Sequence, residues 1–175
     1  MPDVLPALSL VAVPGRRQIT LDVAREAERR GFSGISVPSI FGNMAQSTAL
    51  ALATERFIFG TAIAPIYGRT VEDFAQSAAF IHEISGGRFR FGIGVAHAPS
   101  HIRMGVVPGK PLADIRAFVA RFRAYDGFGG LPPIILAALR QRMVALAGVT
   151  TPILVPSSAV GNQLKAVEEI FAAFA

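Results

Sequence analysis

The chain has 175 residues, 51% of them hydrophobic and 17% charged, with a net charge of +5. That length and balance suit one globular domain with a real core and exclude a disordered chain. The absence of cysteine excludes disulfides, zinc–thiolate sites and thiol nucleophiles, and it accords with a reducing cytoplasm.

At the start, Met1-Pro2-Asp3 precedes a short apolar run, with an aspartate where a secretory leader would carry positive charge. No apolar stretch is long and uncharged enough to span a membrane, so a soluble cytoplasmic protein is expected. Ala7 to Val13 reads as a buried strand, bounded by Pro6 and Pro14-Gly15. Ile19 to Arg30 reads as a helix with Thr20 as a candidate N-cap and Gly31 as its stop. The pattern then repeats. Ile35 to Val37 is a strand, Ala45 to Thr54 a helix of small residues, Phe57 to Ala64 a strand, and Val71 to Ile84 a helix ended by Gly86-Gly87. Arg88 to Val95 is the fourth strand, Pro111 to Tyr125 an amphipathic helix, Pro133 to Leu139 the fifth strand, and Arg140 to Ala147 a short helix. A last strand, Ile153 to Val155, and a helix, Asn162 to Phe174, close the chain.

Strands alternating with helices pair in parallel through crossovers. Near-continuous apolar strands have both sheet faces covered. The fold class is α/β with about six mostly parallel strands, either a barrel or an open sheet. A complete (β/α)8 barrel has eight strands in about 250 residues, so a barrel here would be incomplete. Residues 1–175 read as a single domain, with five β/α units in 1–148 and a C-terminal strand and helix in 149–175.

Several residues stand out chemically. Gly92 and Gly94 follow a dinucleotide-binding pattern only in part: His97 stands where a third glycine belongs, and no helix is expected to open at once. The two glycines therefore read as close packing of backbone, or of a bound ring, against the strand. His97 is a candidate for hydrogen bonding or proton transfer, against the alternative of a partly buried loop histidine. His101 reads as a loop residue and His82, inside a helix beside Glu83, as a surface residue. No histidine–carboxylate spacing suggests a metal site. The doublets Arg16-Arg17 and Arg29-Arg30 are too short for a polybasic segment. No basic cluster alternates with stacking aromatics, so no nucleic-acid partner is expected.

Three stretches resemble the luciferase-like monooxygenase family, and within it the deazaflavin (coenzyme F-420) branch. The first is Gly31-Phe32-Ser33-Gly34-Ile35-Ser36-Val37-Pro38-Ser39, where the family often carries a tryptophan at the place of Ser36. The second and most specific runs from Phe59-Gly60-Thr61 through Tyr67-Gly68-Arg69 to Ser85-Gly86-Gly87-Arg88-Phe89 and Gly92-Ile93-Gly94-Val95. The third is Pro108-Gly109-Lys110-Pro111-Leu112 with Arg116, then Leu131-Pro132-Pro133-Ile134 to Ala137-Ala138-Leu139. The resemblance implies an incomplete (β/α)8 TIM-barrel-like fold. The sixth and seventh strands have no counterpart, and residues 149–175 correspond to the family's last strand and helix.

What the resemblance implies for the site gathers at the C-terminal ends of the strands. A non-prolyl cis peptide is expected near Ala62–Ile63, behind the flavin ring, against the alternative of an ordinary strand end. Ala62, Ile63, Ala64, Gly94 and Ala96 would border the ring. Tyr67 and Arg69 follow on the next loop, where Arg69 would pair with a phosphate or acidic tail or else hold the loop. Ser157 and Ser158 stand where barrels often hold phosphate, although a turn with a helix N-cap explains them equally. His97 is the catalytic candidate. The implied cofactor is coenzyme F-420, with FMN as the alternative. The implied activity is hydride transfer to or from a small organic substrate. The competing expectation is a truncated, non-catalytic family member that binds flavin or dimerises. Family members dimerise through the helices over 45–54 and 74–84, which implies a homodimer.

Overall fold

The computed structural model describes residues 5–40 and 42–137. Helices and strands alternate: β1 (Leu8–Ser9), α1 (Arg17–Arg29), β2 (Gly34–Val37), α2 (Asn43–Ala53), β3 (Ile58–Thr61), β4 (Ala64–Pro65), α3 (Val71–Ile84), β5 (Phe89–Gly94), α4 (Ala98–Met104), α5 (Pro111–Arg123) and β6 (Ile134–Leu136). Every strand pairing among them is parallel.

The order of pairing decides between barrel and open sheet. β1 pairs with β2, β2 with β3, β3 and β4 with successive parts of β5, and β5 with β6 on its other side. β3 and β4 are thus two pieces of one strand, and spatial order follows chain order throughout. A doubly wound sheet reverses direction at a switch point; a (β/α) barrel does not. The described residues are the first five strands of a barrel-like sheet with the helices between them.

Register separates the two sheet faces. Ile35, Phe59 and Phe89 are aligned in one row, and Ser36, Gly60 and Arg90 in the next. The first row belongs to the core. Phe91, two residues on, packs against Phe74 of α3 at 5.4 Å between ring centroids and against Phe122 of α5 at 5.1 Å. Phe118 completes this cluster. Each such burial stabilises by roughly 1.5–3 kcal/mol, which is how α3 and α5 are held on the sheet. The second row, opposite the helices, carries glycine, serine and one arginine rather than the bulky branched side chains that usually fill a barrel.

Several expectations need correction. The first strand is only Leu8–Ser9, because the Ala12 N–H leaves the ladder to donate to Gln46 Oε1 (3.1 Å), while Gln46 Nε2 donates to Leu10 O (2.9 Å). Thr20 is not an N-cap. Arg16 is, without a side-chain cap, and buried Thr20 lies inside α1, its hydroxyl directed to Val11 O and Arg16 O. The expected strand from Phe57 to Ala64 is interrupted at Ala62–Ile63. A helix does open soon after β5, across residues 95–97: α4, with His97 as its N-cap residue and Pro99 in its first turn. His82 is not a plain surface residue, since its Nδ1 is buried without a partner among the described residues. The helix over 71–84 and the glycine stop after it match expectation, with Ser85 as C-cap and Gly86 and Gly87 at φ 61 and 82. The segments expected over 140–147, 153–155 and 162–174 lie outside the described residues. Among the described residues no helix is long and apolar enough to cross a membrane.

Candidate functional site

The site is built at the C-terminal end of the sheet, where β3 stops short of β4. Thr61 is buried, and its hydroxyl donates to Gly92 O at 2.7 Å. The Ala62 N–H donates to Val37 O of β2 (2.8 Å), and the Ile66 N–H to Gly94 O of β5 (3.0 Å). From α2, Asn43 Nδ2 donates to Ile63 O at 3.0 Å. The bulge over 62–66 is therefore anchored on three sides. The peptide between Ala62 and Ile63 is cis, at the position the resemblance implies. Ala62 is exposed and Ile63 half-buried, so backbone and short side chains form this surface.

β5 lies beside the bulge and carries no side chain at Gly92 or Gly94. A Cβ at Gly92 would fall 1.8 Å from Thr61 O. One at Gly94 would fall 3.1 Å from Ile63 Cδ1 and 3.2 Å from Ala137 Cβ. The chain itself thus supplies the close packing that the two glycines were expected to serve. Gly94 lets the bulge and the end of β6 meet across β5.

Beyond β5 the chain turns through Ala96, at φ 61 the one non-glycine among the described residues in the left-handed region. His97 follows, exposed, with its Nδ1 in a long 3.5 Å contact to the Ser100 hydroxyl. His101 bonds Val95 O through Nε2. A carbonyl only accepts, so Nε2 is the donor in this contact. The His101 ring stands edge-on to Tyr67, with centroids 5.6 Å apart. Tyr67 Oη donates to Asp114 Oδ2 at 2.6 Å. Burial, then the hydrogen bond and the negative charge of Asp114, push the Tyr67 hydroxyl up to about 12.

Ala62, Ile63, Ala64 and Gly94 come together, and Ala96 and His97 follow at the mouth of β5. Tyr67 is engaged with Asp114 and His101. Arg69 is occupied beside its own helix: Nη1 lies 3.2 Å from Asp73, and the guanidinium is 5.9 Å over the Phe74 ring. Ser157 and Ser158 lie outside the described residues. Asn43 and Asp114 were not singled out by sequence. Asn43 had one local signal, a Gly-Asn pair at the opening of a helix. Asp114 stands in the first turn of α5, where an acidic residue favours the helix dipole. Among the described residues no cluster of three His, Cys, Asp or Glu suits a metal ion.

Comparison with known proteins places this geometry in context. The sequence profile described as luciferase-like monooxygenase matches residues 11–175. A 5,10-methylenetetrahydromethanopterin reductase of Methanolobus tindarius is 28% identical over 148 residues, which are 71% of this chain and 45% of that protein. The chain thus spans under half the length of that relative. The coenzyme F-420-dependent tetrahydromethanopterin reductase of Methanopyrus kandleri shares the fold with a TM-score of 0.67 at 19% identity, over 83% of this chain and 53% of that one. The oxygenating constituent of 3,6-diketocamphane monooxygenase from Pseudomonas putida, in complex with FMN, aligns with a TM-score of 0.56 at 15% identity, over 73% and 44%.

Proposed function

The chain belongs to the luciferase-like monooxygenase family, and on that premise we propose that it is a flavin- or deazaflavin-dependent oxidoreductase. Hydride passes between a small organic substrate and coenzyme F-420, with FMN as the alternative cofactor. The observation that carries this reading is the bulge over 62–66, pinned by Val37, Asn43 and Gly94 beside a strand without side chains at Gly92 and Gly94. The residues fit such a ring. The exposed surface at Ala62 is short and uncharged, so a planar aromatic system meets neither a bulky side chain nor an unpaired charge. When bound, the ring supplies hydride donation or acceptance. Ala62 and Ile63 form the wall behind it, with Ala64 and Gly94 buried beneath them, and Ala96 borders its edge. His97 stands at the mouth of β5 to donate a hydrogen bond to the ligand or move a proton. Tyr67 shapes the loop through Asp114, and Arg69 borders the phosphate or tail side.

The preference for coenzyme F-420 draws on the structural neighbour named as coenzyme F-420-dependent, and the FMN alternative on the FMN-bound one. A second reading is a family member that binds flavin or dimerises without turnover. It draws on Leu52 of α2 and Phe80 of α3, which stay 75% and 56% exposed and suit a homodimer face. Titration of purified protein with coenzyme F-420 and with FMN, followed by cofactor fluorescence and accompanied by light scattering, tests both. Saturable micromolar binding of one cofactor, abolished by Ala62→Arg with folding intact, is expected. Hydride transfer with the bound cofactor then separates enzyme from binder. A folded protein that binds neither cofactor refutes the oxidoreductase reading.

A further inference from the structure

Asn43 is oriented by its own chain. Its Nδ2 donates to Ile63 O at 3.0 Å; the reversed amide would set Oδ1 against that carbonyl, acceptor to acceptor. Among the described residues Oδ1 has no hydrogen-bond partner, and neither has the second amide hydrogen. The side chain is half-buried, at the first position of α2 behind the left-handed Gly42. It therefore presents one fixed acceptor and one fixed donor beside the bulge, held there by the carbonyl that forms part of it.

We propose that Asn43 reads the imide edge of the bound ring, taking the ring N3–H on Oδ1 and offering its free amide hydrogen to a flanking ring carbonyl. The proposal rests on the oxidoreductase reading above and adds a residue and a chemical contact to it. A carbonyl next to an N–H is the complement of a primary amide, and flavin and deazaflavin both carry that edge. The amide is fixed before the ligand arrives, so little ordering entropy opposes binding. An imide-bearing ring is thereby distinguished from flat aromatics of similar size that lack the N–H.

The test compares FMN and its 5-deaza analogue, each with and without a methyl group on N3, against wild-type protein and Asn43→Ala by fluorescence titration. The wild type is expected to bind the unmethylated ring about tenfold more tightly than its N3-methyl form, and Asn43→Ala to weaken binding and lose that discrimination. A merely structural role for Asn43 would weaken both ring forms alike and leave their ratio unchanged. Equal binding of both forms by the wild type, or undiminished discrimination in Asn43→Ala, overturns the proposal and leaves the oxidoreductase reading standing. Folded wild-type protein that binds no ring removes both. If Asn43→Ala fails to fold, the methyl comparison in the wild type still decides.

Discussion

Replacing Arg88 by alanine should lower the stability of the whole domain without touching the site. Its guanidinium donates to the carbonyls of Ser85 (2.7 Å), Ala51 (2.9 Å), Thr54 (2.9 Å) and Phe57 (3.2 Å) and to Thr54 Oγ1 (3.0 Å). It also lies 5.5 Å over the Phe59 ring. Ala51, Thr54 and Ser85 end α2 and α3, so one cation satisfies orphan carbonyls of two helices at the negative ends of both dipoles. Burial lowers the pKa of Arg88, and Glu28 acts in the opposite direction. All four backbone partners belong to buried residues. Water reaches some of them after truncation; leaving two unsatisfied costs roughly 1–3 kcal/mol each. The lost ring contact adds about 0.5–1 kcal/mol. The sum is on the order of 4 kcal/mol. At roughly 2–4 °C per kcal/mol for a chain of this size, Tm should fall by about 10 °C. Thermal and urea unfolding followed by circular dichroism measures it, with the midpoint falling and the slope in urea unchanged. Arg88→Lys should retain part of the stability, because an ammonium reaches fewer of these acceptors than the planar fork. A drop below about 2 °C in Arg88→Ala, or a lysine variant as damaged as the alanine one, would refute the reasoning.

Other predictions concern single groups. With Tyr125 replaced by phenylalanine, ultraviolet titration of Tyr67 should give a midpoint near 12, brought down by Asp114→Asn. A raised folded pKa means that the contact stabilises fully below the ordinary 10.0 and is lost as pH climbs towards about 12. Its partial exposure limits the effect to about 1 kcal/mol, read from unfolding midpoints across that range. Glu28 accepts N–H bonds from Glu55, Arg56 and Phe57 at 2.7–3.2 Å. Burial alone would raise its pKa, but these donors outweigh it and the net shift is downward from 4.5. Its contribution should therefore be present above 4.5 and vanish as pH falls through the lowered value, and Glu28→Gln should flatten that acid limb. Ala96→Gly relieves a left-handed alanine at about 1–2 kcal/mol and loses part of that to unfolded-chain entropy, so Tm should rise by a few degrees. Gly92→Ala drives a Cβ into the Thr61 carbonyl and should destabilise by roughly 1–3 kcal/mol, lowering the urea midpoint.

Alternation of apolar strands and capped helices made the element order legible, because period and punctuation are local properties of the chain. α3 was read to both ends, since Thr70 caps it by accepting from the Asp73 N–H and Gly86-Gly87 stops it. α4 was missed. Its start depends on Ala96 adopting a left-handed conformation that alanine does not advertise. The first strand was overextended, because an apolar run does not show that the Ala12 N–H is drawn off by Gln46, 34 residues away. Around the candidate site, a family resemblance in consecutive residues points to Ala62 to Ala64 and Gly94, which the structure places together. It does not point to Asn43 or Asp114, since each matters only through a partner 20 or 47 residues distant.

Local pattern carries the α/β class and the parallel pairing, and the resemblance in consecutive residues carries the family and the place of the candidate site along the chain. The three-dimensional structure set the rest: spatial order follows chain order, β3 breaks and resumes as β4, and Tyr67 turns to Asp114. It alone showed the Asn43 amide fixed beside the bulge with an acceptor to spare. Hydrogen bonds between groups distant in sequence form only once the fold has brought donor and acceptor to about 3 Å, and no local periodicity encodes which of them will meet.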